Sequence, residues 1–416
     1  MLWFSNPLFV GDFMRGEKRK AAIAFIFITI LLDVIGFGII IPVIPAILKE
    51  FTGGDMAEAS RFGGWLLFSF SLMQFFSSPI LGNLSDQYGR RKVLLISLFG
   101  FGIDYLFLAF APSLAWLFVG RMIAGITGGS ITTASAYIAD ISTPATRGKN
   151  FGMIGAAFGL GFIIGPVLGG WLGELGPRIP FFAAAALSLI NWLYGYFILP
   201  ESLAPENRRT FSWSRSNPLG ALRRMIGYKD VGGLAFAVFF LHMSAHSVQS
   251  TWSYFTMGQF NWSSAQVGNS LGVVGVLVAI VQGFLIGKAN KWFGIKRSVY
   301  LGLFLAIVGL GIFSLSSSPL ILYAGLLPYC LSGIAGPSLQ GHISSMVPAN
   351  AQGELQGAIT SIISVSAILG PLLMTNLYAS FSNPMAAIQF PGAAFAMGMV
   401  FAFTSLIIAW RLLRST

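Results

Sequence analysis

The chain alternates long apolar runs with short polar connectors, twelve times over. Apolar runs fall near residues 21–48, 62–83, 93–111, 114–138, 151–173 and 179–199, and a second set near 231–256, 266–287, 298–316, 320–343, 354–378 and 390–410. A helix crosses the hydrocarbon layer in about 20 residues at ~1.5 Å each, and each run is of that order. A segment in lipid must satisfy its own backbone polar groups, so the pattern predicts an all-α integral membrane protein of twelve transmembrane helices. The first run is read as a span rather than a cleavable signal peptide. It is longer than an apolar signal core, lacks a small-residue cleavage site and carries Asp33 in its middle.

The second set repeats the first at a constant offset of 205 residues. Gly82 and Gly89, within Gly82-Asn-Leu-Ser-Asp86-Gln-Tyr-Gly89-Arg90-Arg91-Lys92, fall on Gly287 and Gly294. Gly128 falls on Gly333, Gly148 on Gly353, Gly152 on Gly357, and Gly165-Pro166 on Gly370-Pro371. The predicted organisation is two pseudo-symmetric six-helix bundles, residues 1–200 and 231–416, joined by a connector over 201–230. Duplicated halves of this kind point to a transporter with its site at the repeat interface.

Composition agrees: 55% of residues are hydrophobic and 9% charged, against about a quarter charged in soluble domains. The 50 glycines suit helices that approach closely in lipid. The net charge of +11 first suggests a nucleic-acid partner, but its distribution explains it otherwise. With the N-terminus inside, 21 of the 25 Lys and Arg lie on the inner side, three (Lys49, Arg61, Arg178) lie outside, and Arg121 lies within the fourth run. That bias places both termini in the cytoplasm and the chain in the inner (cytoplasmic) membrane. The expected partners are the lipid bilayer and a small amphiphilic substrate, with no nucleic acid, and the expected state is a monomer. Cys330 is the one cysteine, so no intrachain disulfide forms. In the connector, Trp213 and Leu219–Ile226 read either as a short helix on the anionic inner surface or as an irregular basic tether.

Ionisable residues inside spans are costly in lipid and mark substrate or ion paths. They are Asp33, Asp104, Arg121, His242 and His246. A carboxyl group out of water is stabilised in its neutral form, which suits it to carry protons. Asp33 is expected to be the principal proton site, with Asp104 assisting. Arg121, always charged, is expected to pair with Asp33; the other reading has it donating to helix carbonyls. His242 and His246, four apart, share a helix face. Without a third ligand they make no metal site; a proton-sensitive cavity lining and plain helix packing both stay open. Gln74, Asn191, Gln249, Gln282, Gln340 and Asn376 offer uncharged donors and acceptors for a ligand, with Trp192 and Trp252 to stack on it. Each of these side chains can equally join helices. No nucleophile–base set, phosphate loop or metal cluster suggests an enzyme, and no cofactor is expected beyond the proton as coupling ion.

From about residue 22 to 410 the motifs resemble the major facilitator superfamily. Gly82-x-x-x-Asp86-x-x-Gly89-Arg90-Arg91 is similar to its loop 2–3 signature. Gly120-Arg121-x-x-x-Gly125 and Gly161-x-x-x-Gly165-Pro166-x-x-Gly169-Gly170 are similar to its drug-antiporter motifs on the fourth and fifth helices. Leu32-Asp33-Val-Ile-Gly36-Phe-Gly38-Ile-Ile-Ile-Pro42-Val-Ile-Pro45 resembles the first helix of the tetracycline/proton antiporters. So do Pro180-Phe181-Phe182-Ala183-Ala184-Ala185, Leu339-Gln340-Gly341 and Gln352-Gly353-Glu354-Leu355-Gln356-Gly357. The resemblance implies the major facilitator fold and a proton-driven efflux pump for a drug or amphiphilic compound, working by alternating access. It also implies that Asp86, Arg90, Asp140 and Arg147 form a charge latch holding the outward-facing state. Those exporters carry an acid in the ninth helix and a histidine in the eighth; the corresponding runs here hold neither. A proton-linked importer or facilitative uniporter for a metabolite or siderophore stays open beside the exporter.

Overall fold

The computed structural model describes residues 7–213, 229–348 and 351–415, and the secondary structure among them is helical, with no strand. Twelve helices are long and apolar enough to cross a membrane: α1 Ala22–Ile40, α2 Met56–Tyr88, α3 Arg90–Ala109, α4 Leu114–Ile141, α5 Ala145–Leu175 and α6 Ile179–Ile198. The second set is α7 Val231–Phe260, α8 Ser264–Phe293, α9 Ile295–Ser314, α10 Pro319–Ser345, α11 Leu355–Ser382 and α12 Ala393–Arg414. The expected surface helix Leu219–Ile226 lies outside the described residues.

Local sequence sets the ends of these helices. Asp55 caps α2 by accepting from the Ala57 amide at 2.8 Å, and Ser263 with Gln266 forms a capping box on α8. Between α2 and α3 the chain reverses at Gly89 (φ 100°), and between α8 and α9 at Gly294 (φ 77°). Both conformations favour glycine, and they stand 205 residues apart, at the repeat.

Another pair of repeated landmarks marks broken helices. α4 loses its helical geometry at Gly128-Gly129, and α10 passes through a 3₁₀ turn at Ser332–Ile334. Beside the latter, α8 carries a π-turn at Val281–Leu285, and Val281 packs 3.6 Å from where a side chain on Gly333 would begin.

Within each six-helix bundle the packing repeats: α1 with α5 and α6 is matched by α7 with α11 and α12, and α3 with α4 and α6 by α9 with α10 and α12. The bundles meet along two seams, α5 on α8 and α2 on α11. The two bundles close on each other at one end only. Ser253 donates to the Ile41 carbonyl at 3.0 Å, Ser60 to the Thr375 carbonyl at 3.3 Å, and Trp171 to Asn269 at 3.2 Å. A Cβ on Gly170 would stand 2.5 Å from the Ser264 carbonyl oxygen, and one on Gly275 2.7 Å from Ile163. At the other end, which carries the α2–α3 and α8–α9 turns and most of the Lys and Arg, the bundles part. Gly148, Gly152, Gly155 and Gly159 on α5, Gly283 and Gly287 on α8, and Gly341 on α10 have nothing within 4 Å of a would-be side chain. The molecule therefore holds a cleft that opens at its basic end and is sealed at the opposite end.

Candidate functional site

Asp33 sits on α1 beside the cleft. Both carboxylate oxygens are covered and have no hydrogen-bond partner. Ser130, at the restart of α4, is the polar side chain that approaches the carboxylate, and Tyr105 on α3 stands beside it, but neither oxygen has a partner in full hydrogen-bond geometry. A buried carboxyl without partners is expensive as an anion and cheap as an acid. The next turn of α1 places Phe37, 42% exposed, on the same helix face as Asp33.

Arg121 does not pair with Asp33, as the sequence suggested. It forms an ion pair with Asp104, which is fully buried, and its guanidinium lies 5.8 Å from the centre of the Phe70 ring. Rotation of α3 and α4 decides this choice of partner: Asp104 faces α4 at the level of Gly120, where a Cβ would come 2.9 Å from its Oδ1. The motif Gly120-Arg121 thus makes room for an acid and then neutralises it. The pairing leaves Asp33 without a counter-ion.

The α5 motif is a packing surface with two sides. Gly161, Gly165 and Gly169 let α5 touch α1: a Cβ on Gly161 would stand 2.7 Å from Val34, and one on Gly165 2.7 Å from the Ile35 carbonyl oxygen. Pro166 lies 2.8 Å from a would-be side chain on Gly38, and its carbonyl faces Gly268 of α8 in the other bundle. α5 thereby bridges α1, which bears Asp33, to the opposite half.

Of the amides expected in the cavity, Gln249 and Gln282 are exposed and Gln340 is half-buried, and no side-chain hydrogen bond holds any of the three among the described residues. Gln74 donates to the Gly128 carbonyl at 3.2 Å, satisfying a backbone group freed by the break in α4. Two expectations change. Asn191 is buried between α6 and α1, accepting from Thr29 at 3.4 Å, and does not reach the cleft. Trp252 is buried too, donating to Ser270 at 2.9 Å and packing on Phe313 and Phe395, while Trp192 packs on Phe99 and Tyr196. Neither indole is free to stack on a ligand in this structure. Asn376 donates back to the Leu372 carbonyl of its own helix at 2.7 Å. His242 and His246 are partly covered on α7, and the His246 ring packs where a side chain on Gly370 of α11 would be.

At the basic end, Arg90 joins Asp86 at 2.5 Å and Asp140 at 3.2 Å, so three of the four expected latch residues meet. Arg147 is exposed and stands apart from them, with no ion pair among the described residues. The acid that sequence reasoning missed is Glu201. Its oxygens accept from the Arg90 amide at 2.8 Å and the Arg91 amide at 3.3 Å, capping α3 from the end of α6. Ser202 donates to Asp140 at 3.0 Å, Asn83 to the Ser212 carbonyl at 2.6 Å, and the Arg209 amide to the Asp86 carbonyl at 3.1 Å. The signal lay in the sequence as an acid directly after the sixth run, at the head of a connector in which Arg and Lys outnumber the acids. All ion pairs among the described residues lie within the first bundle, so no ion pair spans the open end of the cleft.

A cleft between two repeated bundles, with an uncompensated acid on one wall, belongs to a membrane transporter, and comparison with known proteins agrees. Residues 26–371 and 234–416 match the family model described as Major Facilitator Superfamily. The tetracycline resistance protein, class C, of Escherichia coli is 37% identical over 366 residues, covering 88% of this chain and 92% of that protein. The class B protein of Escherichia coli is 36% identical over 349 residues, covering 84% and 86%. Among solved structures, a bacterial homologue of the human lysosomal transporter Spinster, described as inward-facing and occupied, superposes with a TM-score of 0.78 at 16% identity, covering 96% of this chain and 97% of that one. The chain belongs to the major facilitator superfamily, whose members are membrane transporters and not enzymes. Within it, the chain stands in sequence with the tetracycline resistance proteins.

Proposed function

We propose that this protein exports a drug or other amphiphilic small molecule from the cytoplasm in exchange for protons, by alternating access. The observation that carries the reading is Asp33, a covered carboxyl group without a partner at the edge of an open cleft. Such a group must be neutral or balanced, and a proton and a cationic ligand are alternative ways to balance it. Exchange follows when only one of them fits at a time. The basic end of the cleft faces the cytoplasm by the distribution of Lys and Arg, which makes this the inward-facing state, with both termini cytoplasmic in the inner membrane. Protons are the coupling ion, no other cofactor is needed, and the working unit is a monomer. Asp86, Arg90 and Asp140 serve the inner gate, and Gln249, Gln282, Gln340, His242 and His246 line the ligand's path. Tetracycline-like molecules lead the candidate substrates, from the resistance proteins to which the chain is similar. The C-terminal half, which lacks membrane-buried acids, favours a second reading as a facilitative carrier or importer of a metabolite. Purified protein in proteoliposomes with an imposed pH gradient, offered a panel of labelled amphiphiles, separates the two. Accumulation that needs the gradient supports export by proton exchange; gradient-independent equilibration supports the carrier.

A further inference from the structure

The C-terminal wall of the cleft carries no acid, yet it presents one polar stripe on α7. The Ser247 side chain and the Ser244 carbonyl face α12 at Gly398, Leu241 faces Gly336 of α10, Trp252 bonds to α8, and Tyr254 receives the Tyr378 hydroxyl of α11 on its carbonyl. The face these contacts leave free holds His242, Gln249 and Ser253, which lie within about 40° of one another at ~100° per residue, with His246 at its α11 edge. Ser253 fixes the register, because its hydroxyl bonds the Ile41 carbonyl at the sealed apex of the cleft. From that apex Asp33 lies eight residues back along α1, and His246 and His242 lie seven and eleven residues back along α7. At ~1.5 Å per residue these are depths of ~12 Å for Asp33, and ~10 and ~16 Å for the two histidines. The acid and the imidazoles therefore lie at one depth, on α1 and α7 of opposite halves.

We infer that the His242/His246 pair is the partner of Asp33 across the cleft, meeting it when the inner mouth closes, and that the exported molecule is cationic or weakly basic. This rests on the proton-exchange reading above. In the outward-facing state a proton from outer water adds to a lone pair of an imidazole nitrogen, and the imidazolium balances the Asp33 carboxylate. On return to the inward-facing state that proton leaves to cytoplasmic water, and the ligand's positive charge takes its place. One positive charge then accompanies Asp33 on each leg of the cycle. Other charged or titratable groups do not take this role. The elements packed on α7 bring Glu58 and Arg61 on α2, Lys288 and Lys291 on α8, Tyr329 and His342 on α10, Tyr378 on α11, and Arg411 and Arg414 on α12. None of them has a hydrogen bond or ion pair to either histidine among the described residues.

Two measurements on the full chain test the inference. The first is geometric and needs no transport. In a Cys330→Ser background, Asp33→Cys with His242→Cys is expected to be joined by a bifunctional thiol reagent of about 10 Å reach, whereas Asp33→Cys with Ser247→Cys, whose side chain faces α12, is not. Equal yields in the two pairs, or none in the first while Ile41→Cys with Ser253→Cys joins normally, would overturn it. The second is functional. His242→Gln is expected to lower pH-gradient-driven efflux at least tenfold, and the exchange pair Asp33→His with His242→Asp to recover at least a tenth of wild-type efflux. A His242→Gln protein with the wild-type pH profile overturns the inference. Absence of gradient-driven efflux in the wild type defeats the proton-exchange reading instead, and the cross-link still decides whether the two groups meet.

Discussion

Replacing Asp104 by Asn keeps the size of the side chain and removes its charge, leaving Arg121 charged and without its acid. Asp104 is 0% and Arg121 6% exposed, so water can do little to compensate. Breaking a buried pair from one side costs about 3–5 kcal/mol, because the remaining ion has lost its counter-charge. The Phe70 ring, 5.8 Å from the guanidinium, faces it in both proteins and so cancels from the difference. A loss of about 3–5 kcal/mol is expected, on the order of a hundredfold to several-thousandfold change in the unfolding equilibrium at ~1.4 kcal/mol per decade. The assay is SDS-driven unfolding of purified protein in mixed micelles, followed by circular dichroism. The double variant Asp104→Leu with Arg121→Met should regain most of the loss, since an apolar pair of similar volume is close to neutral in such a site. A loss below about 1 kcal/mol for Asp104→Asn, or a double variant less stable than the single one, refutes the assignment of a structural ion pair.

Gly165→Ala puts a methyl group 2.7 Å from a backbone oxygen and 2.9 Å from the Gly38 Cα, neither of which can swing away, so α1 and α5 must separate at a cost of about 1–3 kcal/mol. Gly152→Ala on the same helix meets open space and should be neutral or stabilising by up to ~1 kcal/mol; the same SDS titration reads both. Glu201→Ala removes the acceptor of the Arg90 and Arg91 amides, so hydrogen exchange at the first turn of α3 should accelerate about fivefold, for a cap worth ~1 kcal/mol. In a Cys330→Ser background, Gly287→Cys should react with a membrane-impermeant maleimide only from the cytoplasmic side and Gly54→Cys only from the outside, as labelling of right-side-out and inverted vesicles will report.

Most of the fold was legible because it follows from period and length. Apolar runs long enough to span, a 205-residue repeat and a one-sided distribution of Lys and Arg need no tertiary information. Even the breaks in α4 and α10 were foreshadowed, since Gly128 and Gly333 are a repeat pair, although the sequence marked them only as landmarks. Partner choice was less legible. Whether Arg121 meets Asp33 or Asp104 depends on how α3 and α4 are rotated, and a shift of one residue turns a helix by about 100°. The same blindness placed Asn191 and Trp252 in the cavity, when each faces a neighbouring helix of its own bundle. Glu201 escaped notice because its role as a cap spans 111 residues, and the capping patterns readable in sequence are local.

In the proposed mechanism, a single uncompensated acid on α1 couples protons to export. Inverted membrane vesicles energised to an acidic interior, carrying either the wild type or Asp33→Asn at matched abundance, test it most directly with a fluorescent cationic amphiphile transported by the wild type. Gradient-dependent accumulation is expected for the wild type, and none above empty vesicles for Asp33→Asn. Equal, gradient-dependent accumulation by the two proteins would contradict it.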